Sequence, residues 1–169
     1  MAKKVLEENT VETTGIPENM TEEQEYNLLE SLLLAADDNY ALTPIRIERN
    51  GVYRFTVHVH AVTEKDRETA HRAATKYMTN PAGKHLPPIE KGTDKALYRS
   101  WLIYLATSDE DKKKIWGQKA VKDKYNLMQD AETIDYILKS GEKDALIGVL
   151  EELSGFGENS ISTEEFAKN

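Results

Sequence analysis

Four histidines are the only side chains in this sequence whose type and spacing suggest metal or acid–base chemistry. His58 and His60 lie two residues apart in an alternating stretch, so on a strand they share one face and could share a metal ion. His71 follows on a helical stretch and is the candidate third ligand. No Asp or Glu stands two residues from either strand histidine to complete a facial set, and Val57 and Val59 claim the opposite face for a core. The pair therefore reads as the polar side of a strand; the metal-dependent enzyme built on His58 and His60 is the weakest of three functional readings. Gly83-Lys84-His85 has the look of a phosphate loop, but Met78 stands where the first glycine is needed and no Ser or Thr follows the lysine. Glu151-Glu152 falls on an amphipathic helical pattern, where carboxylates face solvent. There is no cysteine, which removes disulfides, thiolate metal sites and cysteine nucleophiles together. The expectation is a protein without catalytic residues, cofactor or resident metal.

Charge narrows the partner class. Residues 1–38 contain two lysines and ten acidic residues, the whole net charge of −8, while residues 39–169 balance at 20 basic and 20 acidic. A duplex-binding domain needs a basic stripe, and the densest one here, Lys112–Lys114, follows Asp109-Glu110-Asp111 and reads as a solvated helix face. No apolar run approaches the roughly 20 residues of a membrane span, and the N-terminus has no apolar signal region. Nucleic acid and membrane are not expected partners; a reducing cytoplasm is the expected setting.

The elements follow from periodicity and punctuation. Residues 1–20 are polar and acidic and are expected to be disordered. Thr21-Glu22-Glu23-Gln24 is a capping-box pattern opening a helix over 22–36, whose Leu28, Leu29, Leu32, Leu33 and Leu34 form a broad apolar stripe. Residues 43–61 read as a β-hairpin with Ile45, Ile47, Tyr53, Phe55, Val57 and Val59 on one apolar face. Asn50-Gly51 suggests a two-residue turn, but that register pairs Ile47 with Arg54 and Phe55 with Arg46 and so mixes the faces. A three-residue loop, Arg49-Asn50-Gly51, with a bulge at Gly51 keeps Ile47 opposite Tyr53 and Ile45 opposite Phe55, and is the expected turn. Thr63 caps a helix over 64–78, with Ala70, Ala73, Ala74, Tyr77 and Met78 on its stripe. Residues 79–93 read as a long loop, 94–107 as the central core helix, and Ser108 as the cap of a short helix ending near Trp116-Gly117. A shorter element falls near 119–126. Asp130 is the expected cap of a helix over 131–139 stopped by Gly141, and a last helix over 142–154 ends at Gly155-Phe156. The fold class is α+β: a helix-dominated single domain, 21–157, with a small antiparallel hairpin or sheet, and a polar tail over 158–169.

Two segments suit protein binding. The leucine stripe of the first helix (Leu28, Leu29, Leu32, Leu33) must be buried, either on the core or on a partner. Leu86-Pro87-Pro88-Ile89 is either a tucked connector or a presentation of apolar groups on a stiff backbone.

The run Leu97 to Asp111, continuing to Ile115-Trp116, resembles the XkdN-like tail assembly chaperones of phages and PBSX-type defective prophages. So do Gly141-Glu142-Lys143-Asp144 and Leu150 to Phe156, and upstream Phe55 to His58, Thr63 to Lys65, Ala74 to Tyr77 and Leu86 to Pro88. The resemblance covers roughly residues 25–157 and is spread over many weak positions; the tails match no family. It implies a non-enzymatic escort that binds the tape measure protein and tail tube protein in the host cytoplasm and is absent from the finished particle. Self-association and a frameshifted longer form are left open, and the family supplies no catalytic or binding residues to carry over. A structural tail component retained in the particle is the second reading.

Overall fold

A computed structural model describes residues 22–156, with side chains from Asn27 onward. The expected tails and the Thr21–Gln24 capping pair lie outside the described residues. Backbone contacts divide the chain into two compact units, 1–35 and 36–169. What is described of the first is helix α1, Glu22–Asp38, which runs a turn's length past the boundary. The architecture is α+β and helix-dominated, with two separate antiparallel two-stranded sheets among the described residues.

The first sheet pairs β1, Thr43–Arg49, with β2, Val52–Val59. Its turn corrects the expectation from the sequence. Arg49 faces Val52 across a two-residue loop, and both Asn50 (φ 53) and Gly51 (φ 74) are left-handed, the conformation of a type I′ turn. The face conflict is resolved inside the strand instead. The register shifts between Ile47 and Glu48, so that Glu48 faces Tyr53 while Ile47 faces Phe55, leaving Arg54 as an extra residue. One bulged residue restores Ile45 opposite Val57 and returns the apolar side chains to a common face, and Tyr53 is left in solvent.

Helix α2, Glu64–Ala74, opens with the expected Thr63–Asp66 capping box but stops four residues early. Thr75 is buried and extended (φ −80, ψ 128), and its hydroxyl donates to the His71 carbonyl at 2.6 Å, closing the last turn. Thr75–Met78 is then β3, paired with β4, Ile89–Thr93, so the segment read as one long loop is a hairpin with a ten-residue connection over 79–88. Tyr77 and Met78 are consequently strand residues in solvent, not part of a helical stripe.

Helix α3, Lys95–Ala106, is the core helix as expected: Leu102, Ile103 and Ala106 are buried against Val57, Val59 and Ala70. Ser108 caps the single turn α4, Asp109–Asp111, which widens into a π turn over Lys112–Trp116. Trp116 is fully buried there and meets Phe55 edge-on at 6.1 Å. Its indole N–H donates to the Thr107 hydroxyl at 3.0 Å, which in turn donates to the Ile103 carbonyl at 2.7 Å. Thr133 donates to the Trp116 carbonyl at 2.9 Å from the other side. The indole N–H and the carbonyl that enter the core with this tryptophan thereby both meet hydroxyl partners.

Helix α5, Lys119–Tyr125, leads to a 3-10 turn at Asp130–Glu132 and to α6, Thr133–Ile137. The cap here is Gln129 with Glu132, not Asp130, whose carboxylate is instead drawn to Lys122 Nζ at 2.6 Å. Gly141 does not stop α6: Leu138 turns extended, and Gly141 lies inside α7, Ser140–Leu153. The α7 end matches the sequence in place. Gly155 is left-handed (φ 84), Gly155 N–H donates to Glu152 O and Phe156 N–H to Glu151 O, a Schellman stop. Phe156 lies under the Arg67 guanidinium of α2 at 4.6 Å.

Candidate functional site

The histidines are held apart by separate duties. His58 gives its backbone N–H to Asp111 Oδ2 at 2.7 Å, and its ring Nδ1 lies 2.8 Å from the same oxygen. An ionised carboxylate only accepts, so the ring proton sits on Nδ1. Burial of Asp111 pushes its pKa up, but the two His58 hydrogen bonds, together with the charge of His58 and the Ser108 bond, hold the carboxyl below its ordinary value. His60 Nδ1 donates to the Ala61 carbonyl at 2.8 Å, and its ring meets Tyr40 at 5.8 Å. His71 sits beside Thr93, its Nε2 3.2 Å from the hydroxyl. Among the described residues no three His, Asp or Glu side chains converge as a cation site. Asp111 comes to His58 from 53 positions away, a partner that spacing along the strand could not reveal.

The apolar candidates lie on two elements. On α1, every described side chain is exposed, and the leucines range from 37% for Leu28 to 59% for Leu34. The helix carries six acidic residues and no basic one. In the second unit, Leu86, Pro87 and Pro88 end the β3–β4 connection and Ile89 opens β4. The connection is a pair of turns, with Gly83 N–H to Asn80 O, Leu86 N–H to Gly83 O, and the Asn80 amide donating to Pro87 O at 3.2 Å. Leu86 and Ile89 are exposed, and Met78 pairs with Ile89 across the ladder, with exposed Tyr77 next to it. The apolar hairpin tip is thus larger than Leu86–Ile89. Tyr77 and Met78 escaped notice because their helical spacing assigned them to a core.

A family model for phage XkdN-like tail assembly chaperones matches residues 29–168 of the chain. The chain belongs to this family. No curated protein and no solved structure matches it. The match extends through 158–168, correcting the expectation that this tail matches no family, and its start at Leu29 takes in most of the leucine stripe.

One of the motifs that carry the resemblance holds the fold together. In Gly141-Glu142-Lys143-Asp144, Glu142 accepts from Arg49 Nε and Nη2, both at 2.7 Å, and from the Lys139 N–H at 2.8 Å, tying β1 to the start of α7. The Arg49 bonds, chiefly, hold the Glu142 carboxyl down at about 2 against a burial effect in the other direction. Lys143 is buried, with its ammonium on the Ala96 carbonyl at 2.7 Å and on Asp135, which also accepts from Ser100 at 3.1 Å. Asp144 pairs with Arg99. Three consecutive side chains therefore fasten α7 to β1, α6 and α3. This part of the motif serves the architecture.

No helix among the described residues is long and apolar enough to cross a membrane.

Proposed function

We propose that this tail assembly chaperone acts without catalysis, as an escort that binds the tape measure protein and tail tube subunits in the host cytoplasm and leaves before the particle is complete. The observation that supports it best is the exposed stripe Leu28, Leu29, Leu32 and Leu33 on α1, inside or adjoining the family match. Exposed leucines on one helix are a helix-in-groove ligand or a cover for another apolar segment. Fully burying a leucine contributes about 1.5–3 kcal/mol. Because these side chains keep only 37–58% of their surface in water, each adds a part of that, which favours a weak, reversible complex. The hairpin tip, Leu86, Pro87, Pro88 and Ile89 with Tyr77 and Met78, is a second contact of the same apolar kind.

The test is co-expression of the tagged full chain with tape measure and tube proteins, beside L29E/L32E/L33E and L86S/I89S variants. Recovery of both tail proteins by the parent chain and loss with the α1 variant supports the reading. Undiminished recovery with both variants removes these surfaces from it. Stoichiometric retention of the chain in purified particles would make it a structural tail component instead.

A further inference from the structure

Outside the surfaces already described, the α5–α6 region exposes a further cluster of residues enriched at protein interfaces. Tyr125, the last residue of α5, stacks on Tyr136 of α6 with ring centroids 4.7 Å apart and planes 27° apart, although both rings are largely in solvent. Met128, three residues on, is 87% exposed. A stacked aromatic pair is already ordered, so covering it forfeits little side-chain entropy, and Tyr and Met are favoured in interface cores.

The charge around this cluster indicates its occupant. Residues 112–128 contain six lysines and one acid, Asp123. Lys112, Lys114 and Lys122 are neutralised by Asp109, Glu110 and Asp130. Lys113, Lys119 and Lys124 form no ion pair among the described residues, and Lys124 lies 5.2 Å over the Tyr125 ring. No residue of α5 is buried. The complementary element, apolar on its leucines and acidic without a single lysine or arginine, is α1.

We propose that the α5–α6 face, centred on the Tyr125–Tyr136 stack, receives α1 of a second copy of this chain. Leucines of the incoming helix cover the two rings and Met128, while its carboxylates, Glu30 and Asp37 among them, meet Lys119 and Lys124. The contact concerns the chain alone and does not rest on the escort reading. Because it occupies the same leucines, self-association and client binding exclude each other.

Sedimentation velocity of the full chain over a concentration series, at low and high salt, tests the contact. The expected result is reversible self-association that weakens several-fold as salt is raised, since surface charges are screened. Y125A/Y136A should weaken it about tenfold or more. An E30K/D37K chain and a K119E/K124E chain should each associate poorly alone and regain association when mixed. These positions are exposed, so unchanged circular dichroism is expected for every variant. A monomer at all concentrations, including one whose α1 is covered by its own α5–α6 face, overturns the proposal. Association indifferent to Y125A/Y136A and to the charge exchange overturns it equally, and in either case the co-expression test of client binding stands unaffected.

Discussion

Removing the charge of Glu142 should take away a defined part of this protein's stability and of its dependence on pH. In the folded chain its carboxyl is held at about 2, from an ordinary 4.5, mainly by the two hydrogen bonds from Arg49 and further by the Lys139 amide. At 1.36 kcal/mol per pH unit that difference corresponds to about 3.4 kcal/mol, an upper bound for a pair that still touches solvent. Screening brings the expected contribution to about 1–2 kcal/mol. Because the folded pKa is depressed, the stabilisation is complete above the unfolded value and is lost as pH falls from about 5 towards 2. E142Q keeps the shape and removes the charge. Urea unfolding followed by the fluorescence of Trp101 and Trp116 should show the variant about 1–2 kcal/mol less stable at pH 7. The gap should narrow steadily between pH 5 and 3, where the parent carboxyl begins to protonate on unfolding. Other carboxylates titrate over the same range, so the difference between parent and variant is the quantity read. A gap that stays constant with pH, or none at pH 7, would refute the assignment of that stability to the Arg49–Glu142 pair.

Three further substitutions probe the frame by the same unfolding assay. T107V strands the fully buried Trp116 indole N–H without an acceptor and should cost about 1–3 kcal/mol, whereas a loss within error would mean that the indole finds another partner. G117A places a methyl 3.1 Å from the Lys112 carbonyl and 3.2 Å from that of Lys113, and should destabilise by about 1–3 kcal/mol unless the π turn relaxes. G51A puts a side chain at φ 74 in the β1–β2 turn with open space around it, so the backbone penalty alone, about 1–2 kcal/mol, is expected; an unchanged midpoint would argue against the type I′ turn.

Local signals were read well where they act over one turn or one alternation. The Thr63 capping box, the Ser108 cap, the Gly155-Phe156 stop and the apolar face of α3 stand where composition and spacing place them. Their energetics are short-range: a hydroxyl accepting from an amide three residues on, or side chains one turn apart. The errors occur where a distant partner outbids a local preference. Asp130 is a good cap residue drawn to Lys122 instead, and Thr75-Lys76-Tyr77-Met78 continues a helical stripe yet pairs with residues 89–93.

By itself, then, the sequence determined the hairpin, the core helix, the charge asymmetry and the leucine stripe, because periodicity and charge are properties of residue order. Tertiary structure alone decided that Arg54 and not Gly51 absorbs the extra residue, that Asp111 engages His58, and that Tyr125 lies on Tyr136. Each of those outcomes depends on which surfaces meet after the chain closes, and contacts between residues far apart in sequence leave no period behind to be read.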